Sequence, residues 1–225
     1  MKTKIIILIC VFFISFTSVS QSACKAYYPF EKGVTFEITN YNKKGKKEGV
    51  VNYKVTNIDN NVATIKTTIF DAKGKEITTS DYKITCEGNT ISIDFKSLIN
   101  PDMFQQYKDM DMDITGTNVE LPNDLQVGQS LKDAYMNMAI NMGGMTMNMS
   151  IDMLNRKVDK KESITTPAGT FDCFALSYDS EMKVGMKISF KIKEWLSEGV
   201  GVVKSESYNK NGKLMGYSEL TSFKK

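Results

Sequence analysis

The side chains in this sequence best suited to chemistry are thioethers spaced two residues apart. From Met136 the chain reads Met-Asn-Met-Ala-Ile-Asn-Met, then Gly143-Gly144, then Met-Thr-Met-Asn-Met-Ser-Ile-Asp-Met to Met153. Thioether sulfur is a soft ligand that selects Cu(I), and Met136, Met138, Met147 and Met149 would approach one another across a hairpin. Isoleucines interrupt that stripe and no cysteine or histidine lies beside it, so packing is the expected role and no metal is expected. Flexible, polarizable thioethers also fit variable apolar shapes. The second chemistry open to them is therefore the holding of an apolar ligand.

Other reactive constellations are missing or weak. With no histidine in the chain, a Ser-His-Asp or Cys-His engine and the usual catalytic zinc sets are excluded. No phosphate-binding Gly-x-x-x-x-Gly-Lys-Ser/Thr loop or dinucleotide fingerprint is present. Asp109, Asp111 and Asp113 alternate, but the glycine and distal glutamate of a calcium loop are lacking, so a solvated strand face is expected. Asp179 and Glu181 have the makings of a glycosidase pair, yet any sheet surface supplies such pairs. The expectation is a non-catalytic protein without a cofactor. The chain carries 29 basic and 26 acidic residues, and Arg156 is its one arginine. That balance argues against a nucleic-acid partner.

The elements that would position the thioethers are strands. Side chains alternate between the faces of a strand, so Met136, Met138, Ile140 and Met142 share one side, and Met145, Met147, Met149, Ile151 and Met153 share one side of the return strand. A two-residue turn at Gly143-Gly144 places Met142 opposite Met145, Ile140 opposite Met147, Met138 opposite Met149 and Met136 opposite Ile151. Three further connectors repeat one form: Tyr41 to Lys46, Phe70 to Lys75 and Tyr208 to Lys213 each read aromatic-Asn/Asp-x-x-Gly-Lys. Asn or Asp opens such a turn through its own side chain, and glycine supplies the left-handed residue of a bulged hairpin. Their lysines are expected to be solubilising, with contact to an acidic surface as the sharper alternative. Strands are expected around these turns, at Thr170 to Asp179, and at Glu181 to Lys193. In the last, Met182, Val184, Met186, Ile188, Phe190 and Ile192 face one way and the lysines the other. One helix is expected after Asn100, with Pro101 at its first position and Met103, Phe104, Tyr107 and Met110 on one face. The fold class is thus mainly β, a curved antiparallel sheet or half-barrel of about ten strands with one short helix as plug or lid.

The N-terminus reads as a secretory signal over residues 1–20, with Lys2 and Lys4 ahead of an apolar run from Ile5 to Ile14 that is too short to span a bilayer. Residues 21–225 then form a single exported β-rich domain with no transmembrane segment, in the periplasm or cell envelope. Lipid attachment at Cys24 is the less favoured alternative, because Gln21 stands where an apolar residue is wanted. Cys24, Cys86 and Cys173 remain after export, enough for one disulfide. If Cys24 is lipidated, Cys86 and Cys173 are the available pair. If not, the up-and-down strand order brings Cys24 and Cys86 to the same end of the sheet and leaves Cys173 a buried thiol.

Four stretches carry a family resemblance: Cys24 to Gly33, Leu121 to Gln129, Thr166 to Phe174 and Glu194 to Lys204. Together they resemble the TapB-like family of exported proteins, which is similar to a broader domain of unknown function shaped like the lipoprotein carriers of the periplasm. The resemblance implies an exported curved-sheet domain and no established activity. From the residues, the expected function is a binding module for an acyl chain, lipid or lipid-modified peptide. Its ligand-binding face would comprise Met136, Met138, Ile140, Met142, Met145, Met147, Met149 and Met186, under a lid of Met103, Phe104 and Tyr107. The alternative is a structural or interaction protein of the envelope, with an envelope protein as partner and a closed core.

Overall fold

Strands of period-two patterning joined by short polar turns leave this chain one economical route, a meander in which each strand pairs with the next. The computed structural model describes residues 27–94, 111–141 and 143–225. Its strands are β1 (Thr35–Asn42), β2 (Lys47–Asp59), β3 (Val62–Asp71), β4 (Glu76–Glu87), β5 (Thr90–Ile93), β6 (Asp111–Gly116) and β7 (Val119–Pro122). They continue as β8 (Ala134–Asn141), β9 (Thr146–Thr166), β10 (Gly169–Val184), β11 (Met186–Ser197), β12 (Gly201–Asn209) and β13 (Leu214–Lys224). All 13 belong to one open antiparallel sheet, in the order β6-β8-β9-β10-β11-β12-β13-β1-β2-β3-β4-β5-β7.

The mainly β class and the antiparallel sheet are therefore observed, and the strand count is corrected from about ten to 13 among the described residues. The additions are the short strands β6 and β7, of which the sequence offered only the alternating Asp111 and Asp113 as a solvated strand face. One boundary also moves: the reversal expected between Asp179 and Glu181 falls at Gly185, which adopts φ +72° and sets Val184 opposite Met186. No helix occurs among the described residues. The helix expected after Asn100, with Met103, Phe104 and Tyr107, lies outside them, as do the signal segment, Cys24 and Met142.

The two outermost strands of the sheet are consecutive in the chain. β6 pairs with β8 and β7 pairs with β5, yet only Thr117 and Asn118 separate them. Thr117 donates its amide to the Tyr135 carbonyl at 2.9 Å, and Asn118 donates through Nδ2 to Ser92 Oγ at 2.9 Å. One extended run thus changes partners halfway along, and it draws the two edges of the sheet together. A 13-stranded sheet curled this far acquires an inside.

The repeated connectors form as their chemistry requires. Asn42 Oδ1 accepts the amides of Lys44 and Lys46, Asp71 Oδ1 those of Lys73 and Lys75, and Asn209 Oδ1 those of Asn211 and Lys213. Gly45, Gly74 and Gly212 sit at φ +76°, +84° and +74°, a region costly for any residue with a Cβ. The methionine hairpin also has its expected register: Met136 faces Ile151, Met138 faces Met149 and Ile140 faces Met147.

The main core lies inside the curl. Met136, Met138 and Ile140 of β8 pack there with Ile65, Ile84, Ile91, Leu121 and Leu131, each such side chain contributing about 1.5–3 kcal/mol through its burial. A second cluster gathers Cys173, Ala175, Trp195, Val203 and Leu220. Trp195 Nε1 donates to Glu162 Oε1 at 2.7 Å, so its indole is both buried and satisfied.

Candidate functional site

Beside the main core the curled sheet leaves a hollow of about 550 Å³. Strand alternation builds it, since each strand delivers side chains two positions apart. Ile38 and Asn40 come from β1, Val51 and Tyr53 from β2, and Thr67 and Ile69 from β3. Ser80 and Tyr82 come from β4, Ile151 and Met153 from β9, and Tyr178 and Ser180 from β10. Tyr28, Phe36, Ile93, Val119 and Val202 add to a wall that is largely apolar, and Glu194, Ser205 and Ser218 complete it. Phe36 and Tyr53 stack at 4.5 Å between ring centroids, which makes part of that wall stiff.

One side of the hollow is polar. Glu194 faces it from β11, and Tyr178 donates its hydroxyl to Glu194 Oε1 at 2.8 Å. Burial raises the Glu194 pKa above the ordinary carboxylate value, against the opposing pull of the Tyr178 hydrogen bond and the Arg156 charge. Arg156 is itself 5% exposed; its Nη1 donates to the Lys132 carbonyl, and burial lowers its pKa while Glu194 holds the charge in place. The phenols remain neutral: burial pushes Tyr53 up to about 12 and raises Tyr28, Tyr82 and Tyr178 as well. The site thus offers neutral hydroxyl donors and acceptors, one carboxyl group and apolar walls.

Thr67 Oγ1 is buried in this wall without a hydrogen-bond partner. A buried hydroxyl left unpaired costs about 1–3 kcal/mol, so its place in the lining of a hollow is informative.

The thioether face expected to hold ligand is distributed differently. Met136 and Met138 are each 2% exposed and Ile140 is fully buried, closed into the core cluster that also holds Ile65, Ile84 and Ile91. Met147 and Met149 are half-buried against the same core. Met145 and Met186 are 71% and 79% exposed, because both sit at hairpin ends that project beyond their neighbours. Met138 and Met149 border a shallow depression whose other walls include Asp113, Thr115, Asn137 and Lys183. Of the described residues of the stripe, Ile151 and Met153 reach the large hollow. Among the described residues Cys173 is a free, buried cysteine, which removes it from the alternative pairing with Cys86. The Cys24–Cys86 pairing falls partly outside the described residues.

Glu194 was within reach of sequence reasoning. The apolar parity that runs through Met186, Ile188, Phe190 and Ile192 continues onto Glu194, and a lone carboxylate on an apolar face marks a special environment. The Tyr53, Tyr82 and Tyr178 positions gave no such signal, because an aromatic at strand spacing is ordinary.

Residues 31–220 match the DUF3108-like family. No curated protein matches the chain. Two solved structures share the fold. A candidate exported protein with YmcC-like fold from Bacteroides fragilis is 22% identical, with a TM-score of 0.72 over 90% of this chain and 100% of its own. A candidate lipoprotein from Parabacteroides distasonis is 24% identical, with a TM-score of 0.73 over 89% of this chain and 99% of its own. The DUF3108-like match agrees with the resemblance at the level of a broader family of unknown function, and it shows neither the TapB-like family nor a link to a lipoprotein carrier.

Proposed function

We propose that this chain, which belongs to the DUF3108-like family, is a non-catalytic exported binding module. It holds an acyl chain, lipid or lipid-modified peptide inside the curled sheet, in the periplasm or cell envelope. The signal segment supports export, and two neighbours of the same fold are described as an exported protein and a lipoprotein. A hollow of about 550 Å³ falls within the roughly 300–1,000 Å³ typical of ligand sites.

The observation that carries this reading is the Thr67 hydroxyl, buried in a largely apolar wall with no hydrogen-bond partner among the described residues. It suits a ligand with a long apolar body, which gains about 0.8 kcal/mol per buried methylene, and a polar group within reach of Thr67, Tyr178 or Glu194. The seat of binding moves from the methionine face to the hollow, with Tyr53, Ile69, Tyr82 and Met153 as its apolar contacts.

Native mass spectrometry after gentle purification tests the proposal. Co-purifying lipid is expected in the parent and reduced in Ser180→Trp, which obstructs part of the hollow while circular dichroism stays unchanged. A clean ligand-free mass together with no uptake of a fluorescent fatty acid by the parent would overturn it and leave a structural envelope protein.

A further inference from the structure

The hairpin turns of this fold are sorted by charge. Strand registers bring the turns Asn42–Lys47, Asp71–Glu76 and Asn209–Leu214 to one end of the curled sheet, with the β8–β9 and β10–β11 tips beside them. At this end Lys43, Lys44, Lys73, Lys75, Lys210 and Lys213 are all exposed; Asp71 and Glu76 equal Lys73 and Lys75 in number, so the excess of positive charge lies on the Asn42–Lys47 and Asn209–Leu214 turns. None of them belongs to an ion pair among the described residues. Lys183 lies directly opposite Lys187 across β10 and β11, a like-charge pairing that costs stability on a strand and is only partly relieved by the Lys187–Glu181 contact at 2.6 Å. The turns at the opposite end, Asp59–Val62, Glu87–Thr90, Thr166–Gly169 and Ser197–Gly201, carry Asp59, Glu87 and Glu198 and no lysine. Lys32 and Lys224 flank that end on the chain entering and leaving the sheet.

Exposed apolar side chains collect at the lysine end too. Ile77, Met145, Val184, Met186, Ile188 and Met215 are 54%, 71%, 46%, 79%, 49% and 41% exposed. Solubilising turn chemistry accounts for the lysines alone, but it does not place large apolar side chains among them. Protruding apolar groups within a basic collar are the two components of attachment to an anionic bilayer, one entering the acyl boundary and the other attracted to headgroups.

We infer that this end of the sheet is a docking rim for an anionic lipid surface. The hollow extends toward it: Asn40 and Ile69 of its wall each lie two positions before the residue that opens a lysine turn. A lipid-holding hollow would thereby face the membrane from which it fills, but docking itself depends on the rim and not on the hollow.

The test is co-sedimentation of the chain from Gln21 onward, free of any lipid on Cys24, with vesicles of phosphatidylcholine alone or with about one third phosphatidylglycerol. Binding is expected to the anionic vesicles only, and to weaken as salt is raised. The triple change Lys43→Gln, Lys44→Gln, Lys46→Gln is expected to lower affinity by about 100-fold, from roughly fivefold per lysine, at unchanged thermal stability. Met145→Ser with Met186→Ser is expected to abolish the salt-resistant remainder. The Ser180→Trp protein, whose hollow is partly obstructed, is expected to bind vesicles as the parent does, so loss of ligand uptake and loss of docking are separable. Equal binding to neutral vesicles, or retention by the lysine triple variant, overturns the inference. So does capture by an acidic polypeptide such as polyglutamate without any binding to vesicles, which would reassign the rim to a protein partner.

Discussion

Truncating Met136 separates the two roles open to the thioether stripe. Met136 is 2% exposed, faces Ile151 across the β8–β9 pair and packs in the core with Ile140 and Leu131. Met136→Ala removes the end of a fully buried side chain and leaves a cavity bounded by strands that cannot easily collapse. The expected loss is about 3 kcal/mol, within the roughly 2–5 kcal/mol found for such changes. For a domain of this size that lowers the melting temperature by about 6–12 °C. Met186→Ala, at 79% exposure, is expected to stay within about 0.5 kcal/mol of the parent. Urea denaturation with circular dichroism measures both, and a fluorescent fatty acid titration runs alongside. A loss below about 1 kcal/mol at Met136, accompanied by weakened ligand uptake, would refute the reasoning and return the stripe to a lining role.

Other consequences follow from named groups. Glu194 has a raised pKa in the folded protein, so the parent loses stability as pH rises from the ordinary carboxylate value through the folded one. The stability difference between Glu194→Gln and the parent is therefore expected to move toward the variant as pH rises above the ordinary carboxylate range; a trend toward the parent in urea melts contradicts the buried-carboxyl geometry. Cys173 is buried, and burial pushes its thiol up to about 11. Its reaction with a disulfide reagent near pH 8 is expected to be on the order of 100-fold slower than that of a free thiol, and fast once the chain is unfolded. Gly212→Ala meets no atom within 4 Å but keeps φ +74°, so a cost of about 1–2 kcal/mol comes from the backbone alone and is read in the same melts.

Much of the fold is local chemistry written into the chain. The three Asn/Asp-x-x-Gly-Lys turns, the Gly143-Gly144 hairpin and its register follow from side-chain period and turn residues, which act over a few positions. The reversal at Gly185 was harder to read, since Met182, Val184, Met186 and Ile188 keep one parity across it and mimic a single strand. The short strand β7 left no pattern, and β6 showed only the alternation of Asp111 and Asp113, because both strands are set by which strands lie beside them.

Residue order by itself determined a sheet with one apolar face, the turns that fold it and the lysines those turns carry. It also determined that Met136, Met138 and Ile140 would share a side. Only tertiary structure decided what that side meets. The change of partner at Thr117 and Asn118 curls the sheet and presses β8 into the core, while Tyr53, Tyr82, Tyr178 and Glu194 are left around the hollow. Alternation decides which face a side chain takes, but curvature decides whether that face is filled or empty, and curvature is set by contacts far apart in the chain.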